Sequence, residues 1–507
     1  MSLQPVLALA ALDWVVMAAY ALAMLAIGWV ASRKQKTSED FFLGGRRMPW
    51  WAAGVSIIAA SFGGISLISL TGFASERGKG MRWLQLQLGD LLGLVVVMIV
   101  FLPFFASLRI TTAYEYLERR FGVVARTIAS ALFVVQTLLR ASLLIYAPAF
   151  TVSTVLGWRV ETAIVVSTLA AILYSSAGGL LAVVWSDLLQ MAIAVFAVVY
   201  CLVLVADDVP GGFDAILDHA REGGQLRAVT TEWDGGYVNL EGALIPYAVF
   251  ACALFGTGQQ AVQRFLACRD LASARRAAFS AWAIGAVAVS LTLFLGVSLG
   301  AWVDLAPGAV GISKGDKVLP AFLGTRLPAG VAGLLLAAVL GASMSSLDTP
   351  IHSTSTAFLV DFVRRFSKRP PTARAELFWA RVATVGFGLA ATCGALYAAW
   401  RSKDILRTLV RWLGYPAGPL LGLFLLGMLS RRANERGALV GVGVAFLGVA
   451  IASVLGGDRP FGLDPLWLVP LATLVTAGVG WATSLLWRPP DPLRLRGLVR
   501  GIPPPPD

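Results

Sequence analysis

The sequence predicts an all-α polytopic membrane protein with about thirteen transmembrane helices. Hydrophobic residues make up 57% of the 507 residues, charged residues make up only 14%, and the mean hydropathy is +0.75. A soluble protein carries about 25% charged residues. Apolar runs of about 20 residues, the length that crosses a bilayer, recur along the chain. The alternating strands of about ten residues that indicate a β-barrel are not found.

The predicted spans are joined mostly by short loops, which leave no room for a soluble domain of useful size. The first span is expected to be retained, because the N-terminus shows no basic segment and no signal-peptide cleavage site. The longest loops are predicted at about 206–239 and 304–327. The spans are predicted at residues 12–31, 50–72, 83–106, 127–155, 160–178, 183–205, 240–262, 277–303, 328–358, 377–399, 404–428, 437–455 and 464–487.

The positive charge is distributed as in a membrane protein rather than a nucleic-acid-binding one. The net charge is +12, and Lys and Arg are concentrated in alternate predicted loops, where Arg264 counts as a loop arginine. Such loops face the cytoplasm. The pattern predicts an inner or plasma membrane protein with its N-terminus outside and its C-terminus in the cytoplasm. The four cysteines show no metal-binding spacing.

Two predicted spans contain helix-breaking glycines. Gly63 and Gly64 lie in the middle of the second span, and Gly256 and Gly258 lie in the middle of the seventh. A broken transmembrane helix exposes backbone carbonyls, which is tolerated where they line a site. A separation of five spans is what an inverted repeat of five plus five helices would give.

A polar segment within the ninth predicted span is the strongest candidate for an ion site. Residues 341–356 carry hydroxyls and a carboxylate at membrane depth, where polar groups are costly and usually functional. Oxygen-rich ligands without thiols suit a hard cation such as sodium. Ala342, Ser345 and Ser346 share one helix face, as do Ser345, Asp348 and Thr349. Alternatively, the serines bond back to their own helix or allow close packing.

Five stretches together resemble the sodium:solute symporter family. They are DFFLGGRR at 40–47, TAYEYLERRF at 112–121, YSSAGGLLAVVWSDLLQ at 174–190, QQAVQRFLACR at 259–269 and GASMSSLDTPIHSTST at 341–356. The resemblance implies a LeuT-like fold with a five-plus-five inverted repeat, one extra N-terminal helix and two C-terminal helices. It divides a single transporter domain (1–500) into the extra helix (12–31), two repeats (50–205 and 240–428) and two peripheral helices (437–487), followed by a cytoplasmic tail (488–507).

The resemblance also implies sodium ligands. The main site is expected between the backbone carbonyls of Ala59, Phe62 and Ala342 and the hydroxyls of Ser345 and Ser346.

Sialic-acid-type members imply a second sodium held by Asp187, Ser345, Asp348 and Thr349. Asp348 adds a carboxylate where such members can have serine, which strengthens cation binding or invites a proton. Alternatively, Asp187 caps a helix or forms a salt bridge with a loop arginine.

Arg140 is the main candidate for solute binding. It lies in the middle of an apolar span and must face the bundle interior. Its position matches the arginine with which sialic-acid-type members hold a substrate carboxylate, a pairing that guanidinium geometry favours. Asp90 either pairs with Arg140 or binds the opposite end of the solute. Further lining candidates are Ser66, Gly63 and Gln259.

The predicted function is sodium-coupled uptake of a small carboxylate-bearing solute by alternating access. A monocarboxylate, a sialic-acid-like acid and an amino-acid-like zwitterion remain alternatives. Leu254 and Ser66 replace residues that sugar carriers need, so a hexose is not expected. Proton coupling through Asp348 or Asp187 is a second hypothesis, and a non-transporting solute sensor is a third. An enzyme is not expected, because no nucleophile–base set or nucleotide motif is found. The expected partners are the solute, sodium and the bilayer, without nucleic acid or an obligatory protein.

Overall fold

The computed structural model describes residues 10–309, 312, 314–325, 328, 330–368, 372–400, 416–457 and 459–503. At a few positions inside the helices, among them Ala342 and Ser346, only the backbone is described. All regular structure of the described residues is helical, and the single extended feature is an isolated bridge between Met48 and Cys268.

The first half of the chain contributes ten helices. They are α1 (Ala11–Ser32), α2 (Ser38–Leu43), α3 (Trp50–Ala59), α4 (Gly64–Ser75), α5 (Leu86–Val96), α6 (Leu102–Leu108), α7 (Tyr114–Arg120), α8 (Val123–Leu156), α9 (Val160–Asp208) and α10 (Gly212–Glu222).

The described part of the second half contributes eleven more. They are α11 (Leu240–Gly242), α12 (Ala248–Gly256), α13 (Gln259–Ala267), α14 (Leu271–Leu305), α15 (Val318–Thr325), α16 (Val331–Phe358), α17 (Arg364–Phe366), α18 (Ala373–Trp400), α19 (Ala417–Leu429), α20 (Glu435–Gly456) and α21 (Leu468–Ser484). Short π segments join α5 to α6 (Val97–Phe101), α11 to α12 (Ala243–Tyr247) and α16 to α17 (Leu359–Val363).

Both predicted helix breaks are confirmed. Helix α3 ends at Ala59 and α4 begins at Gly64, with Gly63 in an extended conformation (φ −93°, ψ −175°). The second broken span bends by 54° between α12 and α13, where Gly258 is also extended. In each case the ladder of helical hydrogen bonds is interrupted inside the membrane-spanning segment, so backbone polar groups become available there.

The helices pack in two groups. Helices α3, α4, α5, α12 and α14 form one group, which carries both breaks. Helices α8, α9, α16 and α18 form the other, and α1 packs on α9 and α16. Contacts of α3 with α9, of α4 with α16 and of α13 with α16 join the groups. The candidate site residues lie at or near this junction.

The predicted spans at 160–178 and 183–205 fall on the single element α9, which is interrupted at Gly179. Gly179 has φ +57° and ψ −150°, a conformation that side-chain-bearing residues rarely adopt. A Cβ atom there would lie 2.6 Å from the carbonyl oxygen of Phe41. The glycine therefore allows the chain both to change direction and to approach α2 closely.

Eight helices in the described residues are long and apolar enough to cross a membrane, or nine if the bent pair is one span. Trp50–Ala59, Ser66–Ser75, Val331–Gly341 and Ala417–Leu429 are shorter apolar helices. Each predicted span overlaps at least one of these elements, although residues 404–415 of the eleventh lie outside the described residues. The count of thirteen stays a prediction.

Candidate functional site

The break between α3 and α4 leaves two backbone carbonyls available near α16. No hydrogen bond from a described residue ends on the carbonyl oxygen of Ala59 or Phe62, whereas that of Ser61 accepts from the Ser66 hydroxyl at 3.3 Å. Ala59 and Phe62 are buried, and α4 packs against α16, where Ser345 is also buried. The side chains of Ala342 and Ser346 lie outside the described residues. The described part of the predicted main sodium site therefore has oxygen atoms that suit a hard cation.

A second polar cluster lies where α3, α9, α13 and α16 meet. Arg264 of α13 is 1% exposed in its side chain and donates from Nη2 to Asp187 at 3.3 Å and to Thr349 at 2.6 Å. Its Nε donates to the Ser56 hydroxyl at 2.6 Å, and its Nη1 donates to the Gln260 carbonyl at 2.8 Å. The Ser56 hydroxyl donates in turn to Asp187 Oδ2 at 2.5 Å. All five of these hydrogen bonds are therefore formed between groups of the protein itself.

Asp348 lies next to this cluster but has different partners. Its Oδ2 atom accepts from the Tyr174 hydroxyl at 2.5 Å and from the Ser186 hydroxyl at 3.2 Å. It is fully buried and forms no ion pair with a described residue. Oδ1 of Asp187 is buried too and accepts no hydrogen bond within the described chain. Two carboxylates thus face one guanidinium in this region.

These contacts correct one assignment from the sequence. Arg264 was expected to be a loop arginine facing the cytoplasm, but it lies inside the helix bundle. The prediction was wrong because Arg264 follows the predicted end of its span by two residues, whereas α13 continues as a helix to Ala267. The alternative interpretation of Asp187, a salt bridge with an arginine counted among the loops, agrees with the ion pair.

A cavity of about 340 Å³ lies beside α8, α12 and α19, with Arg140 in its wall. Arg140 is the one charged residue among the described lining residues. The others are mostly apolar or aromatic. The lining consists of Tyr114, Phe133, Gln136, Thr137, Arg140, Leu143, Leu144, Phe250, Ala253, Leu254, Thr257, Gly258, Gln260, Ala417 and Leu420.

Asp90 and Arg140 do not form an ion pair with each other. Tyr247 lies close enough to both to interact electrostatically with each of them. Gly89 makes this arrangement possible, since a Cβ atom there would lie 2.2 Å from the Ala243 carbonyl and 3.0 Å from the Tyr247 ring. Asp90 is not among the described lining residues of the Arg140 cavity.

The remaining predicted lining residues lie elsewhere. Gln259 accepts from the Ala113 amide and donates to the Thr111 carbonyl, both at 2.9 Å, so its side chain holds a loop in place. Neither Gln259 nor Ser66 nor Gly63 is among the described lining residues of the Arg140 cavity. The next residue, Gln260, does line this cavity. The sequence pattern could not show which of the two glutamines would do so.

Comparisons with known proteins assign the chain to a family. The model of the sodium:solute symporter family matches residues 41–444, which include every candidate site residue. The chain belongs to the sodium:solute symporter family. It is 29% identical over 458 residues to the sodium/sialic acid symporter SiaT of Proteus mirabilis, covering 89% of this chain and 91% of the relative. It is 30% identical over 452 residues to human sodium-coupled monocarboxylate transporter 1, covering 86% of this chain and 72% of the relative.

Solved structures agree with this assignment. A substrate-bound, outward-open sodium-coupled sialic acid symporter, described as having a novel sodium site, superimposes with a TM-score of 0.85 at 26% identity, covering 95% of this chain and 99% of the other. Mhp1, a nucleobase-cation-symport-1 family transporter, shares the fold with a TM-score of 0.54 at 13% identity, over 88% and 94% of the two chains. The predicted family, the LeuT-like fold, sodium as the coupled ion and symport of a small solute are thereby confirmed.

Proposed function

We propose that the protein takes up a small monocarboxylate with a largely apolar body, together with sodium. The observation that carries this proposal is the position of Arg140, the one charged residue among the described lining residues of a mostly apolar cavity. A guanidinium in such surroundings favours a carboxylate. The apolar and aromatic walls suit the rest of the solute. They include Phe133, Leu143, Leu144, Phe250, Leu254 and Leu420.

Two polar lining residues have donors that are already used. The Tyr114 hydroxyl donates to the Thr257 carbonyl at 3.2 Å, and the Thr257 hydroxyl donates to the Ala253 carbonyl at 2.8 Å. Gln136, Thr137 and Gln260 are the remaining polar side chains of the described lining. They are too few for all the hydroxyl groups of a solute such as sialic acid, so some of these groups would lie unpaired against apolar walls, which is costly. This argument favours the monocarboxylate over the sialic-acid-like alternative. The absence of Asp90 from the described lining residues disfavours a zwitterion.

We propose further that one sodium binds between the carbonyls of Ala59, Phe62 and Ala342 and the hydroxyls of Ser345 and Ser346. The uncommitted carbonyls of the α3–α4 break support this arrangement. Sodium there ties the broken span to α16 and favours the conformation that binds the solute. With the N-terminus outside and the C-terminus in the cytoplasm, sodium entry is driven by the membrane potential, about 2.3 kcal/mol per charge per 100 mV.

The residues Asp187, Ser345, Asp348 and Thr349 are proposed as a second cation pocket. Proton coupling remains a second candidate, because Asp348 is a buried carboxylate without an ion-pair partner in the described chain. A buried carboxylate of this kind binds either a metal cation or a proton.

Uptake into proteoliposomes tests the function. We expect labelled aromatic or branched monocarboxylates to accumulate when an inward sodium gradient is imposed, and the corresponding neutral amides not to accumulate. Sialic acid and amino acids should be transported far less. Equal accumulation with potassium in place of sodium would contradict sodium coupling, and accumulation driven by a pH gradient alone would support the proton-coupled alternative.

The main sodium site has a test of its own. Ser346→Ala removes one proposed ligand that belongs to this site alone and should raise the sodium concentration for half-maximal uptake about tenfold or more, since a contact to a charged group contributes about 1.5–3 kcal/mol. Ser353→Ala is the matched control, because Ser353 lies on the same helix but donates to the carbonyls of Thr349 and Pro350. Equal sodium dependence of the two variants would contradict the site.

A further inference from the structure

The guanidinium of Arg264 lies among the ligands proposed for the second cation. Nη2 of Arg264 contacts Asp187 Oδ2 and Thr349 Oγ1, which are two of the four proposed ligands. The Thr349 contact, at 2.6 Å, is a short hydrogen bond from a charged donor. A sodium ion needs the lone pairs of the same oxygen atoms. A second full positive charge against the same carboxylate oxygen would also be repelled.

We propose that Arg264 and a sodium ion are alternative occupants of this pocket, an inference that rests on the proposed sodium-coupled function. Arg264 acts as a built-in cation that neutralises Asp187 whenever sodium is absent. In the conformation described here the pocket is filled by the side chain, and a second sodium binds only when the guanidinium leaves. Arg264 thereby determines how strongly the second sodium is bound.

The position of Arg264 connects this exchange to movement. Arg264 lies on α13, the second half of one broken span, and it also holds Ser56 on α3, the first half of the other. Asp187 and Thr349 lie on α9 and α16, which pack against each other. The guanidinium therefore bridges both broken spans to the opposite group of helices. Separation of the two groups breaks this bridge and frees Asp187 and Thr349 together.

The test is a sodium titration of thermal stability, with choline chloride holding the ionic strength constant. The slope of the melting temperature against the logarithm of sodium concentration reports how many ions the folded protein binds. We expect Arg264→Gln to increase this slope about twofold over the wild type, because two proposed sites bind instead of one. Arg264→Lys keeps the positive charge and should keep the wild-type slope.

Arg126→Gln is the matched control. Arg126 is also buried and also pairs with a buried aspartate, Asp361, but it lies outside the pocket. Its loss should lower the melting temperature without changing the sodium slope. Ser56→Ala is a gentler second variant, which removes one acceptor of the guanidinium and none of the proposed sodium ligands. Because the guanidinium is then held less tightly, the sodium concentration for half-saturation should fall about threefold, the equivalent of half a hydrogen bond.

Three results separate the possible failures. If Arg264→Gln, Ser56→Ala and the wild type share one sodium slope and one half-saturating concentration, the inference is overturned while sodium coupling stands. An equal increase in Arg264→Lys and Arg264→Gln also overturns it, because the charge is then not responsible. If sodium stabilises none of the proteins, the proposed function itself fails.

Discussion

Two arginines buried in the helix bundle, Arg140 and Arg264, have opposite surroundings. Arg264 contacts a carboxylate, two hydroxyls and a carbonyl, all contributed by the protein. Arg140 lines a cavity and has Tyr247 as its described electrostatic partner, with no ion pair to Asp90. One guanidinium is committed to internal contacts, while the other faces space that a ligand can fill.

The difference predicts a solute-binding role for Arg140 and a stabilising role for Arg264. A buried arginine without an internal carboxylate is costly unless a ligand supplies the negative charge. A buried arginine with its carboxylate is costly to break, since removal of either partner leaves an uncompensated charge. Loss of the arginine is therefore expected to weaken solute binding at position 140 and to lower stability at position 264.

The largest expected effect is on uptake by Arg140→Ala. We expect a loss of about 100-fold or more in kcat/KM for the solute, since removing a charge-assisted contact of about 3 kcal/mol leaves the carboxylate unpaired. Stability should change by less than about 1 kcal/mol, because no protein carboxylate loses its partner. Sodium-driven uptake and thermal unfolding of the same preparation measure both quantities. Arg140→Lys, which keeps the charge, should retain part of the uptake; unchanged uptake in Arg140→Ala would place the solute elsewhere.

The second expected effect is on stability, through the partner of Arg264. Asp187→Asn leaves a guanidinium without its counter-ion and should lower stability by about 3 kcal/mol. Thermal unfolding in potassium, without sodium, measures this loss separately from any ion binding. Asp90→Asn is the matched control, since Asp90 interacts with Tyr247 and not with an arginine, and it should cost less than about 1 kcal/mol. Equal losses in the two variants would remove the distinction between the arginines.

Local patterns in the sequence were sufficient for the helical spans and their breaks, whereas the LeuT-like fold followed from the family resemblance. Apolar length predicted the spans, and the glycines at 63–64 and 256–258 predicted both breaks, because a helix interruption depends on a few adjacent residues. Helical spacing likewise put Ser345, Asp348 and Thr349 on one face. The two predicted spans at 160–178 and 183–205 lie on either side of Gly179, the non-helical residue within α9.

The site depended on long-range contacts that spacing does not reveal. Arg264 meets Ser56, Asp187 and Thr349, which are distant from it in the sequence. Asp90 and Arg140 form no ion pair with each other, and α5 packs closely against the π segment at Gly89. Such contacts depend on how the two groups of helices pack against each other. A residue pattern within one helix does not determine that packing.

The smallest expected effect concerns Glu118, at the edge of the bundle, and extends the comparison to a third arginine. Glu118 on α7 accepts from Arg126 and Arg365, each at 2.6 Å, and its side chain is 22% exposed. Burial acts to raise the pKa of Glu118, but the hydrogen bonds from the two arginines outweigh it, so the pKa lies below its ordinary value. The stability from this pairing is therefore present above the unfolded pKa of about 4.3 and is lost as pH falls through the lower folded value.

Glu118→Gln should consequently lower stability at pH 7 by no more than about 1 kcal/mol, since water screens a partly exposed pair. The difference from the wild type should shrink as the pH is lowered from about 6 to about 3, a range set by the ordinary pKa of glutamate. Thermal unfolding at a series of pH values measures this convergence, and sodium dependence should not change. A pH-independent difference would show that Glu118 acts through packing rather than through its charge. Asp361 would then be the carboxylate whose charge stabilises Arg126, as Asp187 is for Arg264.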